Sequence, residues 1–253
     1  MRKTDIDEQP LDPIESDIMK GFEILSILFP PVCEACEALL DRSSNVGVCK
    51  ACASSISALK PPHCPACGRT AAYENQRCGQ CGDTRFHFDR AWATAWYDGP
   101  MKALIFAFKF GGQKHLKKYF SGRLIDFTEQ HIGRDLFEGV VPVPLEEERK
   151  LSRGFNQCEL LSKPLAQHFG KMHWAGLLKR EPSGSPQSRL AKNERETNVK
   201  GGFTVTNPAL ASRRSILLID DILTTGQTAS ECAHALKDAG ATSVCVLALA
   251  RGV

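Results

Sequence analysis

Four Cys-x-x-Cys pairs between Cys33 and Cys81 constrain this chain more than any other feature. They are Cys33/Cys36, Cys49/Cys52, Cys64/Cys67 and Cys78/Cys81, separated by twelve, eleven and ten residues. A zinc ion prefers four soft ligands in a tetrahedron. One such turn supplies two thiolates, and a loop of this length returns the chain to supply two more. Eight thiolates therefore make two complete sites. Pairing in chain order, Cys33/Cys36/Cys49/Cys52 and Cys64/Cys67/Cys78/Cys81, is the simplest, and an alternating, cross-braced pairing satisfies the same spacing. The second unit is the sharper one. Its Cys-Pro-Ala-Cys-Gly and Cys-Gly-Gln-Cys-Gly turns place Gly68 and Gly82 where a positive φ lets backbone N–H groups approach sulfur. The first unit lacks those glycines. An iron–sulfur cluster and a thioredoxin-like redox pair are the competing uses of such cysteines, and four evenly paired motifs suit them less well. No coordination position is left open, so both metals are expected to be structural. Each would contribute on the order of 10 kcal/mol to folding a segment poor in apolar residues. His63 and His87 adjoin this module as spare ligands; with eight cysteines present, they are expected on the surface.

The chain has 253 residues, 42% of them apolar and 24% charged, as in an ordinary soluble protein. A net charge of +3 is too small to argue by itself for nucleic acid or membrane binding. No apolar run is long enough to span a bilayer. The first residues are acidic (Asp5, Asp7, Glu8, Asp12), unlike a secretion signal, which makes the cytoplasm the expected compartment. A reducing compartment favours metal ligation over disulfides. Cys158, Cys232 and Cys245 stand among apolar residues and read as small buried hydrophobes.

Three segments are expected: a polar tail and amphipathic helix over 1–31, a double zinc ribbon over 32–83, and an α/β domain over 88–253. Ile14, Ile18, Phe22, Leu25 and Phe29 recur at helical spacing, and Pro30 and Pro31 end that helix. Strands are expected at 89–97, 139–143, 215–219 and 242–250. Helices are expected at 101–110, 116–131, 157–169 (with a possible kink at Pro164) and 228–239. Residues 180–200 are polar and aperiodic and read as a mobile loop. Strands alternating with helices indicate a parallel sheet flanked by helices.

The segment Ile216–Thr228 carries the chemistry. An apolar run, as in a central parallel strand, ends in two adjacent carboxylates, Asp220 and Asp221. Burying that pair is costly, and it is best tolerated at a strand's carboxyl end, in the crevice where α/β sheets bind ligands. Thr224, Thr225, Gly226, Gln227 and Thr228 follow, just before a helix. Helix N-termini and small hydroxylated residues suit a phosphate, and Gly226 lets the backbone come close. Acids and threonines also serve as plain helix caps, but one such residue suffices for that. Neither the Gly-x-x-x-x-Gly-Lys nor the Gly-x-Gly-x-x-Gly pattern is present.

The run Leu-Leu-Ile-Asp-Asp-Ile-Leu-Thr-Thr-Gly-Gln-Thr resembles the phosphoribosyl diphosphate signature of type I phosphoribosyltransferases. The four cysteine pairs narrow the likeness. So do Tyr97-Asp98-Gly99 with Lys102, Phe108-Lys109-Phe110, Val141-Pro142-Val143-Pro144 and Arg153-Gly154-Phe155-Asn156-Gln157. Together with Gln187, Leu190, Arg195, Asn198 and Phe203, they resemble the ComF family, from about residue 22 onward. The resemblance implies a type I phosphoribosyltransferase-like parallel sheet flanked by helices, preceded by a small zinc-ribbon module. It implies that Asp220 and Asp221 hold the ribose hydroxyls and residues 224–228 the 5′-phosphate. Magnesium would bridge the diphosphate and the ribose oxygens. Residues near 144–156, with Arg153 foremost, would hold the diphosphate. Residues 180–200, including Arg189 and Arg195, would close over the site.

The reaction so implied is displacement of diphosphate from ribose C1, with Asp220, Asp221 and Arg153 as the catalytic candidates. Among Lys102, Lys109, Lys114, Lys117 and Lys118, usually a solvated face, Lys109 is the further candidate for binding the ligand. The sequence names no general base and no acceptor. The family takes its name from competence for DNA uptake. The alternative is accordingly a non-catalytic module that senses a ligand, or that binds single-stranded DNA or DNA-handling proteins, because fold does not fix function.

Overall fold

The computed structural model describes residues 30–41, 46–82, 84–181 and 202–252. The expected helix over 14–29 lies outside the described residues. So does the expected closing loop from residue 182 on, with Gln187, Arg189, Leu190, Arg195 and Asn198.

A five-stranded sheet organises the molecule. Its strands are β1 (Arg90–Trp96), β2 (Gly139–Pro142), β3 (Met172–His173), β6 (Ser215–Leu223) and β7 (Ser243–Arg251). They lie in the order β1-β7-β6-β2-β3 with every pairing parallel. The central strands β6 and β7 are apolar and buried almost throughout, as strands covered on both faces must be. A second sheet is the antiparallel pair β4 (Leu178–Arg180) and β5 (Phe203–Val205). The helices are α1 (Lys50–Ser55), α2 (Gly99–Phe110), α3 (Lys117–His131), α4 (Glu147–Arg153), α5 (Gln157–Phe169), α6 (Pro208–Ala211) and α7 (Gln227–Asp238). Two apolar cores fill the layers on either side of the sheet. One joins α2, α3 and α5 to the faces of β6 and β7 carrying Leu217, Ile219, Leu247 and Leu249. The other joins α7, Phe88 and Trp174 to Leu218, Val246 and Ala248.

Several local readings are corrected. α2 starts at Gly99, two residues ahead of the helix expected over 101–110, because Pro100 pre-sets the helical φ at the first turn. The helix expected over 157–169 is present as α5, with Pro164 inside it. Residues 147–153 form α4, where no element was expected. Above all, β6 does not stop at Ile219. It continues through Asp220 and Asp221 to Leu223, paired with β7 at Asp220↔Ala248, Ile222↔Ala250 and Leu223↔Arg251.

The cysteine-rich segment packs on this sheet. Ala58 bridges antiparallel to Ala95, the Leu59 N–H donates to the Thr94 carbonyl, and the Trp96 N–H donates to the Ser57 carbonyl. Residues 57–59 thus cover the free edge of β1, which would otherwise expose a row of unpaired peptide groups.

Candidate functional site

The eight cysteines gather into two quartets in chain order, Cys33/Cys36/Cys49/Cys52 and Cys64/Cys67/Cys78/Cys81, with the sulfurs of each within 4.8 Å of one another. The sequential pairing is therefore the one adopted. Sγ–Sγ separations of 3.8 Å (Cys36–Cys49), 3.7 Å (Cys64–Cys81) and 3.4 Å (Cys67–Cys78) approach the edge of about 3.8 Å of a tetrahedron with a zinc–sulfur bond of about 2.3 Å. A polynuclear iron–sulfur cluster spreads its thiolates over several metal atoms, and quartets this tight suit one ion each. Backbone donors support thiolates there. The Cys49 N–H reaches Cys33 Sγ at 3.4 Å, and the Cys78 N–H reaches Cys64 Sγ at 3.3 Å. Burial opposes ionisation of Cys33, but N–H groups of Cys49, Ala35 and Cys36 outweigh it and bring the thiol down to about 6. Both quartets are thus built as structural zinc sites of a zinc ribbon.

The first quartet solves its turn without the glycines of the second. Glu37 takes the left-handed φ of 61° that Gly68 takes, at 74°, in the equivalent place. After Cys52 no turn is needed, because α1 continues, and Cys49 caps it by accepting the Cys52 N–H at 3.3 Å. His63, expected on the surface, is buried against Phe127 and His131. His87 is exposed, beside His234.

Asp220 and Asp221 lie inside β6 and are 8% and 4% exposed. Successive strand residues face opposite ways, so each acid meets different neighbours. Asp221 receives Lys109 Nζ from α2 at 2.7 Å on Oδ1, while its Oδ2 is buried without a hydrogen-bond partner. Asp220 Oδ1 accepts the Asp221 N–H at 2.8 Å and the Cys158 thiol at 3.7 Å. Cys158 is the buried apolar residue expected, yet it also touches an acid, which the sequence did not indicate. Burial pushes the Asp220 carboxyl up to about 7, and the Asp221 charge adds to the effect. The charge of Lys109, expected to bind the ligand, is held in this pair.

The next residues leave the sheet. Thr224, Thr225, Gln227 and Thr228 are exposed at the N-terminus of α7, and Gly226 caps it at φ 85°. A Cβ on Gly226 would meet the Phe86 ring at 3.0 Å, so a larger residue is strained by its conformation and crowds that ring. The Thr225 hydroxyl accepts the Gln227 N–H at 3.3 Å. Residues 153–157 lead into Cys158, which meets Asp220. Gly154, at φ 72°, ends α4, and Asn156 caps α5 by accepting the Cys158 N–H at 2.9 Å while donating to the Val143 carbonyl. Arg153 lies over the Phe110 ring at 4.6 Å and donates to Gln157 Oε1 at 3.0 Å. Arg195 lies outside the described residues.

Sequence reasoning missed Arg251, although an arginine closing the apolar run Val244–Ala250 was a signal. It is 1% exposed, and its Nη1 donates to the carbonyls of Leu223 and Thr224, at the start of the threonine loop.

Comparison with known proteins agrees with this architecture. The double zinc ribbon domain model matches residues 24–82. Competence protein F of Haemophilus influenzae is 31% identical over 225 residues, which cover 87% of this chain and 96% of that protein. DNA utilization protein YhgH of Escherichia coli K12 is 30% identical over 226 residues, 88% of this chain and 97% of that protein. Among solved structures, one described as the allosteric regulatory enzyme of purine biosynthesis overlays 52% of this chain and 25% of its own, with 16% identity and a TM-score of 0.34. That overlay is too partial to add to the sequence matches. Cysteine quartets, parallel sheet and relatives matched over nearly their whole length agree: the chain belongs to the ComF family, with a double zinc ribbon ahead of a five-stranded parallel sheet flanked by helices.

Proposed function

We propose that the crevice at the carboxyl ends of β2 and β6 binds phosphoribosyl diphosphate with magnesium. One observation carries this reading. A buried carboxylate pair on β6, one oxygen of it without a partner, leads directly into exposed threonines at a helix N-terminus. An orphaned buried acceptor costs roughly 1–3 kcal/mol, and a ribose hydroxyl donated to Asp221 Oδ2 would remove that cost. The 5′-phosphate fits the Thr224–Thr228 turn, where backbone N–H groups and the helix dipole favour an anion. Lys109 would hold the other oxygen, Asp221 Oδ1, while that hydroxyl is bound. Arg153, Asp220 and Arg195 complete the set of proposed ligand contacts.

The donors in the crevice fit a magnesium ion that arrives with the diphosphate. Carboxylate oxygens are suitable hard ligands, but Lys109 and Cys158 already occupy parts of the pair, so the chain offers no closed cage of its own. When bound, magnesium would neutralise the diphosphate. The reaction class that fits is attack of a nucleophile's lone pair on ribose C1, with the C1–oxygen bond breaking and its electron pair leaving on diphosphate. Arg153 would stabilise the departing charge.

A second reading, a module binding single-stranded DNA or DNA-handling proteins, has its own observation. Phe106 and Phe110 on α2 are 61% and 62% exposed and 5.1 Å apart, with Arg153 over one of them. Aromatic faces beside cations suit stacked bases. Two relatives are named for competence and DNA utilization. Diphosphate release measured against a panel of nucleobases, amines and water separates the two. Acceptor-dependent release supports the transferase. Salt-dependent DNA binding with no release on any acceptor would reject it.

A further inference from the structure

A cavity of about 460 Å³ opens between the second zinc-ribbon unit and β1. Small-molecule sites span roughly 300–1,000 Å³. Arg69, Gln76, Arg77 and Gln80 of that unit line the cavity, together with Trp96 at the carboxyl end of β1. Fixed contacts join it to the threonine loop. Arg69 Nη2 donates to the Gly252 carbonyl at 3.0 Å, and the Gly252 N–H donates to the Leu223 carbonyl at 3.0 Å. Thr224 stands so close to Gly252 that a Cβ there would meet its Cγ2 at 3.2 Å. In register, Trp96 lies beside Arg251, and Arg251 beside Leu223. Two strand spacings, about 10 Å, therefore separate Trp96 from the start of the loop.

The stereochemistry of displacement at ribose C1 says which side an acceptor must use. The nucleophile aligns with the face opposite the departing diphosphate. Arg153, the proposed diphosphate ligand, stands on α4, in the connection that leaves β2. In the order β1-β7-β6-β2-β3, the cavity lies on the other flank of β6. Its lining says what kind of acceptor fits. Trp96 is half-buried and offers a flat apolar face. Two guanidiniums and two carboxamides surround it, Arg69 Nε is buried without a partner, and no carboxylate is among the described lining residues. A small amine, rich in donors, finds no carboxylate there, and a guanidinium accepts no hydrogen bond. A planar ring with carbonyl oxygens or ring nitrogens stacks on an indole and accepts from arginine.

We propose that this cavity receives the acceptor, a planar heteroaromatic base that stacks on Trp96 and turns its hydrogen-bond acceptors to Arg69 and Arg77. The lone pair of a ring nitrogen forms the bond to C1 as the C1–oxygen electron pair leaves on diphosphate, and the nitrogen's proton passes to solvent. The reaction rests on the function proposed above; capture of the ring by the cavity does not.

Hypoxanthine and orotate are the probes, with the zinc-loaded full chain. In the presence of magnesium and phosphoribosyl diphosphate, at least one ring should drive diphosphate release, and ammonium should drive none above water. Arg77→Met and Trp96→Leu should each raise the KM for that ring about tenfold, the loss of one charged hydrogen bond or one stacked face. The affinity for phosphoribosyl diphosphate should stay as in wild type. Release driven by ammonium and by neither ring would overturn the proposal, and so would an unchanged KM in both variants. Tryptophan fluorescence gives a readout without turnover: the ring should quench wild type, and Trp96→Leu should abolish the change. If that quenching appears and phosphoribosyl diphosphate does not bind, the ligand reading fails and the cavity assignment stands. If phosphoribosyl diphosphate binds and neither ring quenches or releases diphosphate, the cavity assignment fails and the ligand reading stands.

Discussion

Burial and the Asp221 charge both push the Asp220 carboxyl up, to about 7. The folded protein thus holds this proton more tightly than the unfolded chain, whose value lies near 3.8. Stability from the group is fully present below the unfolded value and is lost as pH rises through about 7. The expected size of that loss is a few kcal/mol, at roughly 1.4 kcal/mol for each pKa unit between 3.8 and about 7. Asp220→Asn, which cannot ionise, should unfold at higher urea than wild type at pH 8 and show a flatter dependence between pH 5 and pH 8. Parallel profiles for the two proteins would refute the assignment. The acids were legible in the sequence because two adjacent carboxylates after an apolar run are costly without a use. Their partners were not. Lys109 and Cys158 lie 112 and 62 residues away in the chain, and only the packing of α2 and α5 against β6 brings them together. Arg251 was on view at the end of β7, but nothing local says that its side chain turns back to the Leu223 and Thr224 carbonyls.

Among the elements, β6, β7 and α7 were readable because an apolar run and a strong helical period leave few alternatives. The carboxyl end of β6 was not, since two acids look like a strand's end until β7 is seen to pair with them. β3, with two residues, and β4 and β5, with three each, are too short to show any period. The cysteine quartets follow the opposite logic, because spacing alone nearly determines them. Their geometry predicts two zinc ions per chain by elemental analysis, and chelation should melt the ribbon segment, because metal binding and folding are one process there. Iron, or a single equivalent of metal, would contradict the two-quartet account.

The molecule as a whole brings two cysteine quartets and a buried acid pair onto one sheet. Residues 57–59 cover the free edge of β1, the first quartet joins the core under α2 and α3, and the second stands against the loop after β6. Among the described residues no helix is long and apolar enough to cross a membrane. The central claim is that the crevice at β6 holds phosphoribosyl diphosphate, and calorimetry on the zinc-loaded full chain tests it most directly. Wild type should bind the ligand saturably and only with magnesium. Asp220→Asn combined with Asp221→Asn should keep both zinc ions and weaken binding by roughly a hundredfold, the loss of two hydrogen bonds to charged groups. Undiminished binding by that folded double variant would contradict the account.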